Sequence, residues 1–226
     1  MTEEAPKTPD PSEQGFGVDI AAAMGGRRGL VDSGLPGAVF VLLYTAGVHW
    51  WPDEALRYAL WAALGLAAGL AVVRVIRHES VQQTVNGLVG VGLGALLAAR
   101  SGSAADFYLP GLFISAGYGV VYLVSILVGW PLIGVVVGPL LGEGMSWRQD
   151  PPRRRAYTRA SWLWVAMFAL RLAVQVPLYL SGAAIALGAA RVLMGWPLFL
   201  LVAWLSYALI RSAPPAQEHL AVDGDQ

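Results

Sequence analysis

Arg171 and Gln175 are two polar residues in an otherwise apolar stretch of the chain, four positions apart. On a helix, side chains with this spacing share one face, so the pair presents hydrogen-bond donors and an acceptor together. A charge deep in a membrane helix costs about 2.5–3.5 kcal/mol on insertion scales, so Arg171 requires a partner or a polar cavity. Two interpretations follow: Arg171 fixes the packing of a neighbouring helix, or it lies on the pathway of a solute or ion.

A second polar pattern follows spacings of three and four residues between positions 115 and 125. Ser115, Tyr118, Tyr122 and Ser125 would then lie on one helical face. In a membrane helix such a stripe lines a wet cavity or forms hydrogen bonds to another helix. The first three of these residues join the Arg171 face as candidate pathway residues.

Charged residues also flank the predicted membrane spans on the side that we expect to be the outer one. A cluster of them could gate a cavity, or it could hold loops together through ion pairs. The members of this candidate outer charge cluster are Glu54, Arg57, Arg100, Asp106 and Arg191.

Residue types that commonly carry catalysis or bind metals are scarce. The chain has no cysteine and three dispersed histidines, His49, His78 and His219. It also lacks a phosphate-binding glycine loop and a zinc-binding His-Glu-x-x-His motif. We therefore expect no enzymatic activity, no metal site and no cofactor. The balance of 15 basic and 15 acidic residues gives no reason to expect nucleic-acid binding.

The composition indicates the environment in which these side chains must be positioned. Hydrophobic residues make up 56% and charged residues 13% of the chain, whereas a soluble domain averages about 25% charged. The charges are separated by uncharged runs of roughly the 20 residues that a membrane helix needs. The sequence therefore predicts an all-α polytopic transmembrane bundle with six spans, at about 35–51, 55–73, 81–99, 107–128, 160–180 and 185–210.

The uncharged run from 107 to 142 is 36 residues long, which is too long for one span. A continuous helix of this length would extend about 54 Å, against about 30 Å of hydrocarbon. Pro131 removes a backbone donor and pushes Trp130 out of helical geometry, which predicts a break there. Residues 131–142 then form a short half-helix that does not cross; it is re-entrant, interfacial or projects into the cytoplasm.

The distribution of Lys and Arg predicts the orientation. With six spans and both termini inside, 11 of the 15 basic residues face the cytoplasm, as the positive-inside rule requires. We expect a multi-pass plasma-membrane protein whose membrane domain, 29–211, lies between cytoplasmic tails at 1–28 and 212–226. The first tail is expected to include a surface helix near 16–24.

A basic segment at 143–159 is predicted to be a cytoplasmic loop. Its arginines are expected to face anionic lipid headgroups or a membrane or cytoplasmic protein partner, and association into a homo-oligomer is left open. These residues are Arg148, Arg153, Arg154, Arg155 and Arg159.

The tetrapeptide Gly-Trp-Pro-Leu occurs twice, at 129–132 and 195–198. Segments interrupted by Gly and Pro in corresponding halves of a chain are typical of the discontinuous helices of transporters. A chance repeat is the alternative in a chain with 27 glycines, and no longer self-similarity surrounds either copy.

Several segments carry a resemblance to a known family: RSGSAADFYLPG at 100–111, GWPLIG at 129–134, RRRAY at 153–157 and FALRLAVQ at 168–175. They are similar to actinobacterial proteins of the domain-of-unknown-function family 3159, with a likeness that extends over about residues 17–211. The resemblance implies a small integral membrane protein with a role in ion or envelope physiology. It implies no activity and no functional residues.

Two functions are consistent with these patterns. The first is a small-solute or ion transporter, or an accessory subunit of a transport system, that uses the Arg171 face. The second is a non-catalytic structural or scaffolding protein of the cell envelope or division apparatus. A cavity that reaches Arg171 favours the first function, and a dry, closed bundle favours the second.

Overall fold

A computed structural model describes residues 26–77 and 81–213, with side chains from 35 to 77 and from 85 to 213. The predicted surface helix at 16–24 and almost all of both predicted tails lie outside these described residues. Regular structure within them is helical throughout, which confirms the all-α prediction for this part of the chain. The α-helices are α1 Gly26–Trp50, α2 Ala55–Ile76, α3 Val81–Ser101, α4 Leu109–Leu127, α5 Leu132–Leu140, α6 Pro151–Leu180, α7 Ala184–Leu193 and α8 Trp196–Arg211.

Four helical segments in the described ranges are long and apolar enough to cross a membrane: Ala55–Ile76, Ala104–Leu127, Pro151–Leu180 and Ala184–Arg211. The predicted first and third spans coincide with shorter apolar segments, Leu35–Trp50 and Val85–Ser101. Large apolar side chains such as Trp61, Phe113 and Leu127 point outward and are about 70% exposed. These features indicate a membrane protein, while the total of six spans stays a prediction.

The first core cluster joins α1, α2, α3, α7 and the short 3₁₀-helix Ala104–Tyr108 that precedes α4. The rings of Phe40 and Phe107 stack with centroids 4.1 Å apart. Buried alanines at four-residue intervals along α2, including Ala59 and Ala63, present a smooth face to the neighbouring helices. Small residues of this kind let membrane helices pack closely. Close packing is important because the hydrophobic effect does not drive helices together within lipid.

A second core region joins α4, α6 and α8 through aromatic side chains. Tyr122 stacks on Trp164 with centroids 5.5 Å apart, and Trp164 also meets Phe199 edge-on at 5.1 Å. Trp164 donates from Nε1 to Ser206 Oγ at 3.1 Å, so its polar edge is satisfied inside the bundle. Aromatic pairs of this geometry contribute about 0.5–1.5 kcal/mol beyond their buried area.

The first Gly-Trp-Pro-Leu copy interrupts the long apolar run as predicted. Helix α4 ends at Leu127, Gly129 adopts a left-handed φ of +77°, and Pro131 caps the start of α5. Only glycine reaches such a φ without steric cost. Helix α5 has nine residues and is about 14 Å long, less than half the hydrocarbon thickness of about 30 Å.

The second copy also separates two helices, and this break lies inside the predicted span at 185–210. Helix α7 ends at Leu193 and α8 starts at Trp196. Pro197 has no N–H group, and its ring would clash with the carbonyl of Leu193 in a continuous helix, so it is accommodated in the first turn of α8. Both copies of the tetrapeptide thus lie where a helix restarts.

The basic segment at 143–159 is only partly a loop, contrary to the prediction. A short 3₁₀ turn covers Ser146–Arg148, and α6 begins at Pro151 because proline is well tolerated in a first helical turn. Helix α6 has 30 residues and is about 45 Å long, which exceeds the thickness of the hydrocarbon core by several turns. The helix is therefore longer than one crossing requires, and its first turns carry four of the five arginines.

Candidate functional site

A cavity of about 590 Å³ lies between α1, α3, α4, α6, α7 and α8. Its volume falls within the range of about 300–1,000 Å³ that is usual for small-molecule sites. Both Arg171 and Arg191 line it, and we call it the two-arginine cavity. Most of the remaining wall is apolar or aromatic, and it includes Val41, Phe107, Ile114, Trp196 and Phe199.

The hairpin formed by α6 and α7 brings the two arginines to the same cavity. The chain reverses at Ser181 and Gly182, where Gly182 adopts a φ of +69°. Arg171 lies ten residues before Ser181, and Arg191 lies nine residues after Gly182. Positions at nearly equal distance from a tight turn lie side by side on antiparallel helices, so two residues far apart in sequence meet here.

Arg191 is held in position by the start of α4. Its Nη1 donates to the backbone carbonyl of Tyr108 at 3.3 Å, and its guanidinium lies 5.7 Å from the centroid of the Tyr108 ring. The guanidinium also packs directly on Gly111, where an added Cβ would overlap it. Glycine at position 111 therefore provides the space that Arg191 occupies.

Neither arginine forms an ion pair within the described part of the chain. Arg171 Nε is buried and has no hydrogen-bond partner, and the charges of Arg171 and Arg191 repel each other. The carboxylate of Asp106, two residues before Tyr108 in the chain, accepts a 2.8 Å hydrogen bond from the Tyr179 hydroxyl. The cavity therefore contains positive charge that the described residues leave uncompensated.

Asn86 also lines the cavity, and two buried polar groups lie near the arginines. Tyr108 lines the cavity, is 1% exposed, and its hydroxyl has no partner. Gln175 is 2% exposed with an unpaired Nε2, but it does not line this cavity. Of the predicted pair on α6, Arg171 reaches the cavity and Gln175 is buried one turn away.

The break between α7 and α8 opens into the same cavity, which Gly195 and Trp196 line. The first intrahelical bond of α8 is donated by Phe199 N to Gly195 O at 3.1 Å. The N-terminus of a helix carries the positive end of its dipole. The C-terminus of α7, with the negative end of its own dipole, lies at the same break, so the discontinuity brings free backbone groups of both signs to the cavity.

The model of a family described as a protein of unknown function, DUF3159, matches residues 24–217. The chain belongs to the DUF3159 family. The matched range includes every helix from α1 to α8 and the whole two-arginine cavity. No curated protein and no solved structure matches the chain.

The polar stripe on α4 of this DUF3159 chain lies at a helix interface. Ser115 donates to the carbonyl of Gly111 on its own helix at 2.9 Å. The ring of Tyr118 stacks on Phe168 at 5.8 Å, and Tyr122 stacks on Trp164. None of the three predicted pathway residues on α4 lines the two-arginine cavity, so the stripe contributes to packing against α6.

The predicted outer charge cluster is not assembled. Glu54 forms an ion pair with Arg57 one turn further along, Asp106 bonds to a tyrosine, and Arg191 points into the cavity. Arg100 is exposed at the end of α3. Across the described ranges, no three His, Asp or Glu side chains lie close enough to hold a metal ion.

Arg153 is buried, which corrects its assignment to the lipid-facing basic residues. It forms an ion pair with Glu143 and donates from Nη1 to the carbonyl of Ile210 at 2.9 Å. The Tyr157 hydroxyl donates to Glu143 Oε2 at 2.9 Å, and its ring meets the buried Trp147 edge-on. We call Glu143, Arg153, Tyr157 and Trp147 the Glu143 cluster.

The other four basic residues of the segment differ from Arg153 in burial. Arg148 lies over the ring of Trp130, with Cζ 3.6 Å from the centroid. Arg154, Arg155 and Arg159 are exposed on the first turns of α6. These three remain available to a charged surface outside the bundle.

Tyr108 and Gly111 are not among the predicted site residues, and Arg191 is predicted to lie with the outer charges. No periodic pattern in the sequence identifies Tyr108 or Gly111 as a site residue. One signal for Arg191 was present: it lies about as far after the Ser181 turn as Arg171 lies before it. In a helical hairpin, two residues equally far from the turn are neighbours, so this spacing predicts that Arg171 and Arg191 lie close together.

Proposed function

We propose that the protein moves a small solute across the plasma membrane and that the two-arginine cavity is its solute site. One observation carries the proposal: a cavity of ligand size lies beside a discontinuous helix and contains two arginines with no counter-charge in the described ranges. A dry bundle built only for structure has no use for such a site, because an unpaired charge in a membrane protein is expensive.

Helix discontinuity supports the same function. Transporters commonly bind substrate where a membrane helix is interrupted, since the free helix ends supply dipoles and unpaired backbone groups. The α7–α8 break lies at the cavity, and the α4–α5 break lies elsewhere in the bundle. We therefore assign substrate contact to the second break and a supporting role to the first.

The proposal includes six spans with both termini in the cytoplasm and α5 as a non-crossing half-helix. The absence of cysteine from the sequence makes single-cysteine variants a clean test. Arg155→Cys should react with an impermeant thiol reagent only after the membrane is opened, whereas Asp53→Cys should react in intact cells. The reverse pattern would contradict the topology.

The direct test is a flux survey in proteoliposomes, with potassium, small organic acids, phosphate and neutral sugars as cargos. We expect uptake of at least one cargo, and loss of that uptake in Arg171→Leu. Arg100→Leu is the matched control, because it removes an exposed arginine at the end of α3. Correctly folded protein that moves none of the cargos would contradict a transport function.

A structural role in the cell envelope is the second candidate, and the exposed arginines at the start of α6 favour it. Arg154, Arg155 and Arg159 extend from the bundle, and each basic residue near an anionic membrane surface contributes about 1 kcal/mol. If this role dominates, replacing all three by Gln should abolish the cellular phenotype of the gene while Arg171→Leu leaves it intact. A transport function predicts instead that Arg171→Leu abolishes the phenotype and that the triple Gln variant retains it.

A further inference from the structure

We infer that the two-arginine cavity binds a small organic anion in which a carboxylate or phosphate group is attached to an apolar body. The inference rests on the proposed function, whose substrate it specifies. It goes further because a solute site could equally serve a cation or a neutral molecule.

The sign of the ligand follows from the charges that line the cavity. Arg171 and Arg191 both reach it, and no Asp or Glu of the described residues does. Asp106, the nearest carboxylate in sequence to the lining residue Tyr108, is held by Tyr179. A cation would meet repulsion from both guanidinium groups, whereas an anion would supply the counter-charge that the protein lacks.

The shape of the anionic group follows from the donors. A guanidinium is a planar fork whose parallel N–H groups match the paired oxygens of a carboxylate or phosphate. The buried hydroxyl of Tyr108 and the buried Nε of Arg171 have no partner in the protein. The two guanidinium groups together carry enough N–H donors to satisfy several oxygens of one bound group.

The rest of the ligand follows from the wall of the cavity. Val41, Phe107, Ile114, Trp196 and Phe199 provide an apolar surface around the charged end. An inorganic ion would leave most of this surface unfilled, while an apolar body attached to the anionic group would cover it. A free organic acid and the headgroup region of an anionic lipid share this chemistry, so the experiment must distinguish them.

Binding is tested by titration calorimetry on the full chain in neutral detergent. The probes are benzoate and phenyl phosphate, with benzyl alcohol as the uncharged and benzylammonium as the cationic comparison. We expect binding of one or both anions and at least tenfold weaker binding of the other two probes. Equal binding of benzyl alcohol, or preference for benzylammonium, would overturn the inference.

Variants locate the site. Arg171→Leu and Arg191→Leu should each weaken anion binding at least tenfold, while Arg100→Leu leaves it unchanged. Gly111→Ala should also weaken binding, because the new methyl group displaces the Arg191 guanidinium while keeping its charge. Gly117→Ala is the matched control on α4, since a Cβ there meets open space. Anion binding that survives both arginine substitutions would overturn the inference.

The source of the ligand is tested by competition with short-chain phosphatidylglycerol. Displacement of benzoate with the same dependence on Arg171 and Arg191 identifies a lipid headgroup, and no displacement identifies a free organic acid. Both results support the anion site. Anion binding without flux of any cargo would contradict transport and support the anion site. Flux of a neutral or cationic cargo without anion binding would support transport and contradict the anion site.

Discussion

The Glu143 cluster and the two-arginine cavity both place arginine side chains inside an apolar bundle, with opposite results for charge balance. Arg153 meets the Glu143 carboxylate and the Ile210 carbonyl, and Tyr157 satisfies the second carboxylate oxygen. Arg171 and Arg191 face a cavity, and neither forms an ion pair in the described ranges. Both regions contain buried donors without a partner, including Arg153 Nε and Arg171 Nε. The difference is the counter-charge, which Glu143 supplies to Arg153 and which no described residue supplies to the two arginines of the cavity.

The presence or absence of a counter-charge distinguishes an arginine that stabilises the fold from one that serves a ligand. Removing Arg153 leaves the largely buried Glu143 carboxylate without its counter-charge, so the variant should be less stable. Removing Arg171 leaves no opposite charge behind, so the fold should tolerate the change. Four substitutions test this contrast, and they are ordered by their expected effect on stability.

Arg153→Leu should have the largest effect. It removes the counter-charge of Glu143 and one of the two hydrogen bonds to the Ile210 carbonyl. Removing one partner of a buried ion pair costs about 3–5 kcal/mol. The measurement is unfolding in mixed detergent and dodecyl sulfate micelles. Arg154→Leu is the control, because the adjacent arginine is exposed; equal stability of the two variants would show that the pair does not hold the fold.

Tyr157→Phe should have the next largest effect. It deletes the hydrogen bond to Glu143 and keeps the ring contact with Trp147. Hydrogen bonds to a charged group contribute about 1.5–3 kcal/mol, so we expect a loss in that range from the same unfolding experiment. Tyr58→Phe, which removes a hydroxyl from an exposed ring, should change stability far less.

Gly138→Ala should be destabilising by about 1–3 kcal/mol, because overpacking forces neighbours to move. A Cβ at this position would lie 2.7 Å from Trp147 and 2.9 Å from the backbone oxygen of Gly144. Gly65→Ala meets nothing within 4 Å and should be neutral or slightly stabilising. A neutral Gly138→Ala would mean that Trp147 is not tightly held against α5.

Arg171→Leu should have the smallest effect on stability and the largest effect on function. We expect unfolding equal to wild type or slightly later, together with loss of solute uptake. Arg171→Lys should restore uptake only in part, because an ammonium group lacks the planar fork. Normal uptake by the leucine variant would remove Arg171 from the proposed pathway.

Some of the fold follows directly from the sequence. The break at Pro131 is predictable because an uncharged run of 36 residues cannot be one span and contains a proline at a suitable place. The break at Gly195 does not follow from length, because residues 185–210 are the right length for a single crossing; the repeated tetrapeptide at 195–198 is the sequence signal for it. The length of an uncharged run predicts a helix break only when the run is longer than one membrane span.

The candidate site was only partly predictable for a similar reason. Arg171 stands out because it is a charge in an apolar run, and the structure places it on the cavity. Arg191 lies near the start of the predicted span at 185–210, so the sequence predicts a position at the membrane edge. Arg153 was assigned to the surface because five nearby arginines are typical of a solvated loop, and its partners Glu143 and Ile210 become neighbours only when α6 packs against α8.

The most direct measurement compares the unfolding of wild type, Arg153→Leu and the double variant Arg171→Leu/Arg191→Leu, each with and without benzoate. We predict that benzoate stabilises wild type, that Arg153→Leu is strongly destabilised, and that the double variant is as stable as wild type without benzoate and does not respond to it. A double variant destabilised as much as Arg153→Leu, with an undiminished response to benzoate, would show that the two arginines serve the fold and not a ligand.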